Sequence, residues 1–229
     1  MSNSSAAEHS HSGISLKVYR EIMPHAPIRY FHPLEKAMRR YHITTPKRVS
    51  AFLSQIAVES KQLRHTHELW TTRKDFQLPG VHRSKFTATN AKEYFEHWYG
   101  NRSKGLGNTT AEDGYTYRGR GAIQITGKAN YESIGKGIGK PLLEHPELLE
   151  TDPAIDMLAS AYYFSVRARL LHVADRVDSS NEHSVYLTNL HLTKGVNGGL
   201  NGLDDRLHHY KKALLHFDMI KTMSPKSQL

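Results

Sequence analysis

"KRVSAFLSQIAVES", residues 47–60, sets the fold class of this chain, because its apolar side chains recur at helical spacing. The apolar positions are Val49, Phe52, Leu53 and Ile56. At about 100° per residue, Glu59 falls roughly 20° from Phe52 around the helix and therefore continues the apolar face. A carboxyl group there faces the protein interior or a cleft wall, where desolvation favours the protonated form that a general acid needs.

The rest of the chain shows the same helical spacing and little strand pattern, which predicts a mainly α protein of one domain. The loop predicted over residues 99–117 is rich in Gly, Asn and Thr, and loops of that length are usually functional or disordered. We expect a disordered tail over residues 1–13, a single domain over 14–222 and a flexible tail over 223–229. The predicted helices are 15–23, 31–42, 47–60, 90–98, 153–171, 182–193 and 203–221.

Composition limits the function classes. The 31 basic and 22 acidic residues give a net charge of +9, which favours polyanions such as nucleic acid, anionic membranes or the acidic polymers of a bacterial envelope. The absence of cysteine excludes disulfides and thiolate nucleophiles. Residues 1–13 lack the apolar stretch of a secretory signal, and no apolar run is long enough to span a membrane. We therefore expect synthesis in a cytoplasm, without a signal peptide.

The 16 histidines invite a metal hypothesis, which their spacing does not support. The segment "HELWT" begins like a zinc-protease motif but has Thr71 where the second histidine belongs. We predict no metal and no cofactor.

A second carboxylate follows the first. Glu68, in "RHTHELW", lies nine residues after Glu59 and beyond the predicted helix end, so the two groups could face each other across a groove. Paired carboxylates are the apparatus of glycoside hydrolysis. Spacing alone leaves a second interpretation open, in which Glu59 points to water or pairs with an arginine.

The segment "YRGRGAIQITGKANY", residues 117–131, combines permissive backbone with short polar groups. Gly119 and Gly121 allow the backbone to approach a ligand closely. Gln124, Thr126 and Asn130 offer uncharged donors and acceptors that match amide-bearing sugars.

Three aromatic residues, Tyr117, Tyr131 and Trp70, could stack on sugar rings. Core packing is an equal alternative for Tyr131 and Trp70. For Arg118 and Arg120 we favour structural ion pairs over ligand contacts.

Three segments in order resemble glycoside hydrolase family 19, which includes plant chitinases and bacteriophage endolysins. "AFLSQIAVES" with "HELW" resembles the catalytic region, "YRGRGAIQITGKANY" the family signature, and "KGVNGGLNGLDDR", residues 194–206, a C-terminal block. The resemblance covers residues 47–220. It implies a lysozyme-like bilobal helical domain with a substrate cleft between the lobes.

The resemblance also implies catalytic roles. Glu59 becomes the general acid, Glu68 the general base that activates water, and Thr126 a hydroxyl that helps to hold this water. The family inverts the anomeric carbon, which implies carboxyl groups roughly 6.5–9.5 Å apart.

For the substrate groove, the resemblance implies contacts from Gln124, Asn130 and Asn197. It places Arg206 in the same groove, beside the acidic pair, where it would tune the ionisation of that pair.

The sequence departs from the family pattern near the acid. Val58 stands where relatives usually have histidine, and Lys61 and Gln62 replace common glycines. Asn201 replaces an acidic residue of the plant members, which is typical of the endolysin branch.

The sequence thus predicts a peptidoglycan hydrolase of the lysozyme or muramidase type, whose partner is the glycan strand. It would be a phage endolysin or an antibacterial effector with a cognate immunity protein, and it would act in the periplasm or cell wall after release through a pore or delivery by a secretion system. A chitinase and a non-catalytic wall-binding module are the alternatives. A nucleic-acid binder has support from charge alone.

Overall fold

A computed structural model describes residues 14–68 and 88–217, and this part of the chain is mainly α. It contains no β-strand; three backbone segments form isolated bridges only. A 3₁₀ turn, Ile28–Tyr30, and a π turn, Tyr163–Arg167, add two short helical segments. The helices are α1 Leu16–Ile22, α2 Phe31–Arg40, α3 Pro46–Glu59, α4 Ala91–Tyr99, α5 Glu112–Thr116, α6 Lys128–Ile138, α7 Leu148–Thr151, α8 Pro153–Tyr162, α9 Leu171–Asp175, α10 Glu182–Asn197 and α11 Leu203–His216.

Helix α3 is the central element of the core. Its first turn is capped by Thr45, whose side chain accepts a hydrogen bond from the Arg48 N–H, and Pro46 occupies the first turn. Residues 49–57 are all buried, because α11, α9 and α10 pack around this helix. The apolar face predicted for this segment is confirmed, and burial extends beyond it to the small and polar positions.

A second packing unit joins α2 to α8, with α6 and α7 also against α8. Asp152 caps α8 by accepting hydrogen bonds from two backbone N–H groups, and Pro153 occupies its first turn, as the sequence predicts. The single helix predicted over residues 153–171 is wrong in length. A π turn follows α8, and the left-handed backbone of Arg169 interrupts the helix before α9.

Helices α4 and α5 pack against each other and position residues 88–116. Asn90 accepts from the Glu93 N–H, while the Glu93 carboxylate accepts from the Thr89 N–H, so a reciprocal cap starts α4. The ring of Phe95 stacks on Tyr99 with centroids 5.8 Å apart. Because α5 lies inside residues 99–117, the prediction of one long loop there is wrong.

Two further helices were not predicted. Helix α6 contains Gly135 and Gly137, which have poor helix propensity, and α7 is a single turn. None of the described helices has the length and apolar character needed to cross a membrane. The predicted tails lie outside the described residues, and the domain bounds stay a prediction.

We predict that Gly114→Ala lowers the free energy of unfolding by about 1–3 kcal/mol. A Cβ at Gly114 would lie 2.4 Å from the Phe95 carbonyl oxygen and 2.7 Å from the Gly100 nitrogen, and both atoms are backbone. Urea denaturation measures the change. In Gly199→Ala, the matched control, the new Cβ has its nearest neighbour at 3.5 Å, so stability should change little. Equal stability of the two variants would contradict the packing of α4 on α5.

Candidate active site

Glu59 ends α3 against a buried guanidinium. Arg206, on the first turn of α11, is 1% exposed, and its Nη2 lies 2.5 Å from the Glu59 Oε1. Arg206 Nη1 donates to the Gln55 side-chain oxygen at 2.7 Å and Nε to the Asn201 carbonyl at 3.1 Å. The Glu59 side chain is 12% exposed, so it is held by Arg206 and still partly accessible.

The chain leaves α3 through a left-handed turn. Lys61, Gln62 and Leu63 have φ of 47°, 60° and 60°, a conformation that costs L-residues about 1–2 kcal/mol each. The Ser60 hydroxyl holds the turn by accepting from the Leu63 N–H at 2.8 Å. The turn directs the following residues toward the segment that carries Gly119.

Glu68 is held by the backbone and by α4. Its N–H donates to the Gly119 carbonyl at 2.8 Å, and the Tyr99 hydroxyl donates to its Oε1 at 2.8 Å. The Gly119 N–H lies 3.4 Å from Oε2. Burial raises the pKa of Glu68, although hydrogen bonds from Tyr99 and Gly119 and the charge of Arg118 act in the opposite direction.

Two predicted polar residues gather beside Glu68. A Cβ built on Gly119 would lie 2.8 Å from the Gln124 Oε1, 3.0 Å from the Glu68 Oε2 and 3.3 Å from the Thr126 Oγ1. Three side-chain oxygens therefore converge on one small space above the Gly119 backbone. The turn that presents them depends on Gln124, whose φ is 57° and whose Nε2 donates to the Gly121 carbonyl.

A series of polar contacts runs from this cluster toward Glu59. Asn130 donates to the Thr126 carbonyl at 2.8 Å, and Arg167 Nη2 lies 3.5 Å from the Asn130 Oδ1. Burial raises the pKa of Tyr163, the Arg167 charge lowers it and the Glu59 charge raises it, so both charges act on this phenol.

Asn197 is the last residue of α10, beside the backbone that Tyr163 contacts. The Tyr163 hydroxyl lies 3.4 Å from the Gly195 carbonyl and 3.5 Å from the Val196 carbonyl. Asn197 is half-buried, and its Oδ1 would lie 3.5 Å from a Cβ on Gly199. Asn197 therefore ends the helix whose last turn contacts Tyr163.

Comparison with known proteins identifies the family. Residues 42–171, more than half of the chain, match the glycoside hydrolase family 19 model, described as chitinase class I. The chain belongs to glycoside hydrolase family 19. It is a chitinase-like glycosidase domain with the mainly α, lysozyme-like fold of that family.

Relatives within the family agree over different lengths. A glycosyl hydrolase family 19 domain-containing protein of Haemophilus influenzae is 27% identical over 211 residues, covering 88% of this chain and 96% of that protein. Endochitinase 1 of Theobroma cacao is 44% identical over 57 residues, which cover 25% of this chain and 17% of that protein.

Solved structures share the fold of this family-19 chain. Chitinase C of Streptomyces griseus superposes with a TM-score of 0.58 at 18% identity, covering 92% of this chain and 79% of that one. A family GH19 class IV chitinase of Zea mays gives 0.55 at 16% identity, covering 91% and 94%.

The aromatic contacts predicted for this family-19 domain need correction. Tyr131 is 0% exposed, and its hydroxyl donates to the Arg118 carbonyl and accepts from Arg120. Tyr117 is 7% exposed and packs on Tyr131 with ring centroids 5.3 Å apart. Both rings belong to the core, so neither is a sugar platform. Trp70 lies outside the described residues.

The predicted arginines have structural roles. Arg118 and Arg120 both form ion pairs with Glu150, as expected. Arg206 lies beside Glu59, as the family resemblance implies, yet its burial corrects its assignment as a substrate contact. The sequence interpretation in which Glu59 pairs with an arginine is therefore also realised.

Sequence reasoning missed several residues of the site. Tyr99 lies one residue beyond the predicted end of its helix, and no local pattern links it to Glu68. The helix predicted over residues 153–171 includes Tyr163 and Arg167, whereas a π turn carries both, and Arg167 lies beside Asn130. The described residues contain no group of three His, Asp or Glu side chains that could hold a metal ion.

We predict that Gly119→Ala lowers turnover of a family-19 substrate by at least about tenfold, because displacement of catalytic groups by 1 Å can cost about 100-fold. The added methyl group would meet the ends of three flexible side chains, so the fold should persist. Steady-state kinetics and thermal melting measure both effects. Unchanged turnover would mean that the cluster beside Glu68 takes no part in the reaction.

Proposed function

We propose that this family-19 domain hydrolyses the β-1,4 bonds between N-acetylated amino sugars of peptidoglycan, by an inverting mechanism with two carboxyl groups. The observation that carries the proposal is the separate support of Glu59 and Glu68. Glu59 is fixed by Arg206 on α11, whereas Glu68 is fixed by Tyr99 on α4 and by Gly119. Different environments for two carboxyl groups are what an acid and a base in one reaction need.

In the proposed mechanism, Glu59 protonates the departing glycosidic oxygen. The Arg206 contact engages Oε1, which leaves Oε2 to carry the proton toward the bond that breaks. Glu68 removes a proton from water while this water attacks the anomeric carbon from the opposite face. Thr126 and Gln124, whose oxygens lie around the same space as the Glu68 carboxylate, orient that water and the N-acetyl group.

The reverse assignment has one observation in its favour. Burial raises the pKa of Glu68, which would suit a group that starts the reaction protonated. The hydrogen bond from Tyr99 and the charge of Arg118 oppose that shift, and they support Glu68 as the base. The pH dependence described below distinguishes the two assignments.

Charge supports peptidoglycan as the polymer. The net charge of +9 attracts an anionic cell wall, and Arg167 is an exposed guanidinium beside Asn130 at the site. Chitin is the second candidate, because the uncharged amides of Gln124, Asn130 and Asn197 suit a neutral polymer and because several relatives are named endochitinases. Delivery through a pore or a secretion system and a cognate immunity protein stay predictions.

We predict that Glu59→Gln lowers turnover by several orders of magnitude, because the amide keeps the shape and cannot release a proton. The melting temperature should fall while the protein stays folded, because the amide oxygen still accepts from Arg206 but no longer neutralises its charge. Purified peptidoglycan and chitin are digested in parallel, and mass spectrometry identifies the new reducing ends. Glu182→Gln is the matched control, since its carboxylate pairs with Lys211 on the surface.

Three results would count against the proposal. Glu59→Gln turnover within about tenfold of the parent would place the acid elsewhere. Products from chitin alone would replace peptidoglycan with the second candidate. Binding of either polymer by the parent protein without any cleavage would support a wall-binding module instead.

We predict that Tyr99→Phe moves the acidic limb of the kcat/KM profile to higher pH. The lost hydrogen bond raises the pKa of Glu68 further, so a base at this position becomes protonated, and inactive, at a higher pH than before. If Glu68 were the acid, the alkaline limb would move upward instead. Tyr94→Phe, on the same helix, controls for the loss of a phenol group.

A further inference from the structure

A buried carboxyl group outside the catalytic pair contacts the turn that carries the polar cluster. Asp156, in the first turn of α8, is 1% exposed. Its Oδ1 accepts from the Ala122 N–H at 2.6 Å and from the Ser160 hydroxyl at 3.2 Å. Gly121 is packed so closely that a Cβ there would lie 2.8 Å from the same oxygen. Asp156 therefore contacts two consecutive residues of the turn, by a hydrogen bond at Ala122 and by close packing at Gly121.

The Gly121–Ala122 backbone, which Asp156 contacts, is hydrogen-bonded to the segments that carry Glu68 and Gln124. The Gly121 N–H donates to the Thr66 carbonyl at 2.7 Å, two residues before Glu68, and the Gly121 carbonyl accepts from the Gln124 N–H and from its side-chain amide. Movement of Gly121 would therefore move both Gln124 and the strand-like segment that holds Glu68. Three hydrogen bonds through the N–H and the carbonyl of Gly121 therefore link the two segments directly.

The Asp156 carboxyl group is only partly satisfied by its surroundings. Its Oδ2 has no hydrogen-bond partner, and no charged side chain is among the causes that shift its pKa. An unpaired buried carboxyl group costs several kcal/mol more than an apolar residue of similar size. Burial raises the pKa of Asp156 to about 7, against the hydrogen bonds from Ala122 and Ser160.

We propose that Asp156 is a positioning residue for the family-19 reaction: its carboxyl group fixes the Gly121–Ala122 backbone and so sets the positions of Gln124 and Glu68. A charged acceptor forms shorter and stronger hydrogen bonds than a neutral one. The hydrogen bond from the Ala122 N–H to Asp156 therefore becomes shorter and stronger when the Asp156 carboxyl group ionises. The kinetic consequences rest on the proposed function, whereas the coupling of Asp156 to Gln124 does not.

A nuclear magnetic resonance titration of the unmodified protein tests the coupling without any substrate. Between pH 5.5 and 8.5 (roughly 1.5 pH units on each side of a pKa of about 7), the Ala122 amide proton should shift with a midpoint near 7. The side-chain amide of Gln124 should shift with the same midpoint. In Asp156→Asn both transitions should disappear, because the amide accepts the same hydrogen bond and does not ionise.

Other titrating groups near the turn require controls. Tyr30 and Ser160 face Asp156 from the described elements that pack on it. The charged or titratable groups along the turn are Glu68, Arg120 and His67, and the His67 Nδ1 lies 3.7 Å from Glu150. The shared midpoint should survive in Glu68→Gln and in His67→Gln. A Gln124 response that is lost in either variant, or absent from the parent protein, overturns the proposal.

Kinetics then measure the effect on the reaction. Asp156→Ala should lower kcat by at least about tenfold with KM changed less than about threefold, and Asp156→Asn should restore kcat to within about threefold of the parent. Val185→Ala, buried in the first turn of α10, is the control for lost stability. If Asp156→Ala keeps full kcat, or if Asp156→Asn is as impaired as Asp156→Ala, the positioning role is wrong. If the parent protein cleaves no glycan, the proposed function fails, and the resonance titration still decides the coupling.

Discussion

The ion pair between Arg206 and Glu59 is the interaction on which the rest of the structure depends. A guanidinium that is 1% exposed must find acceptors for its donors, and here they come from Gln55 and Glu59 on α3 and from the Asn201 carbonyl before α11. Loss of one partner from a buried pair commonly costs about 3–5 kcal/mol, because the remaining charge is stranded. The pair therefore fixes the register of α11 on α3, and with it the direction in which the Glu59 carboxyl group points.

The second carboxyl group is fixed by different means. Glu68 follows a left-handed turn, is bonded to the Gly119 backbone and receives a hydrogen bond from Tyr99 on α4. The Gly119 segment in turn rests on the buried Asp156. One carboxyl group is thus anchored through helix packing and an ion pair, and the other through a turn and its buried support. This separation allows the two groups to differ in protonation, which acid and base catalysis requires.

The sequence was most informative where a regular period governs the backbone. The spacing of Val49, Phe52 and Ile56 predicts both α3 and the inward direction of Glu59, because burial and helix geometry decide both. The sequence was least informative where contacts are distant along the chain, because Tyr99 bonds to Glu68 across 31 positions. Tyr131 is close in sequence to the polar residues of the site, yet its side chain packs into the core. The π turn after α8 also escapes the pattern, because residues 163–167 contain no glycine or proline to mark a helix interruption.

The proposed roles of Glu59 as the acid and Glu68 as the water-activating base predict one configuration for the newly formed reducing end, so this configuration tests them most directly. Proton nuclear magnetic resonance, recorded in the first minutes of digestion before mutarotation, distinguishes the two anomers. Attack by water held at Glu68 on the face opposite the departing oxygen predicts that the α-anomer appears first from the β-linked polymer. Early release of the β-anomer would require two successive displacements, through a carboxylate or through the sugar's own N-acetyl group, and it would contradict the proposed roles of Glu59 and Glu68.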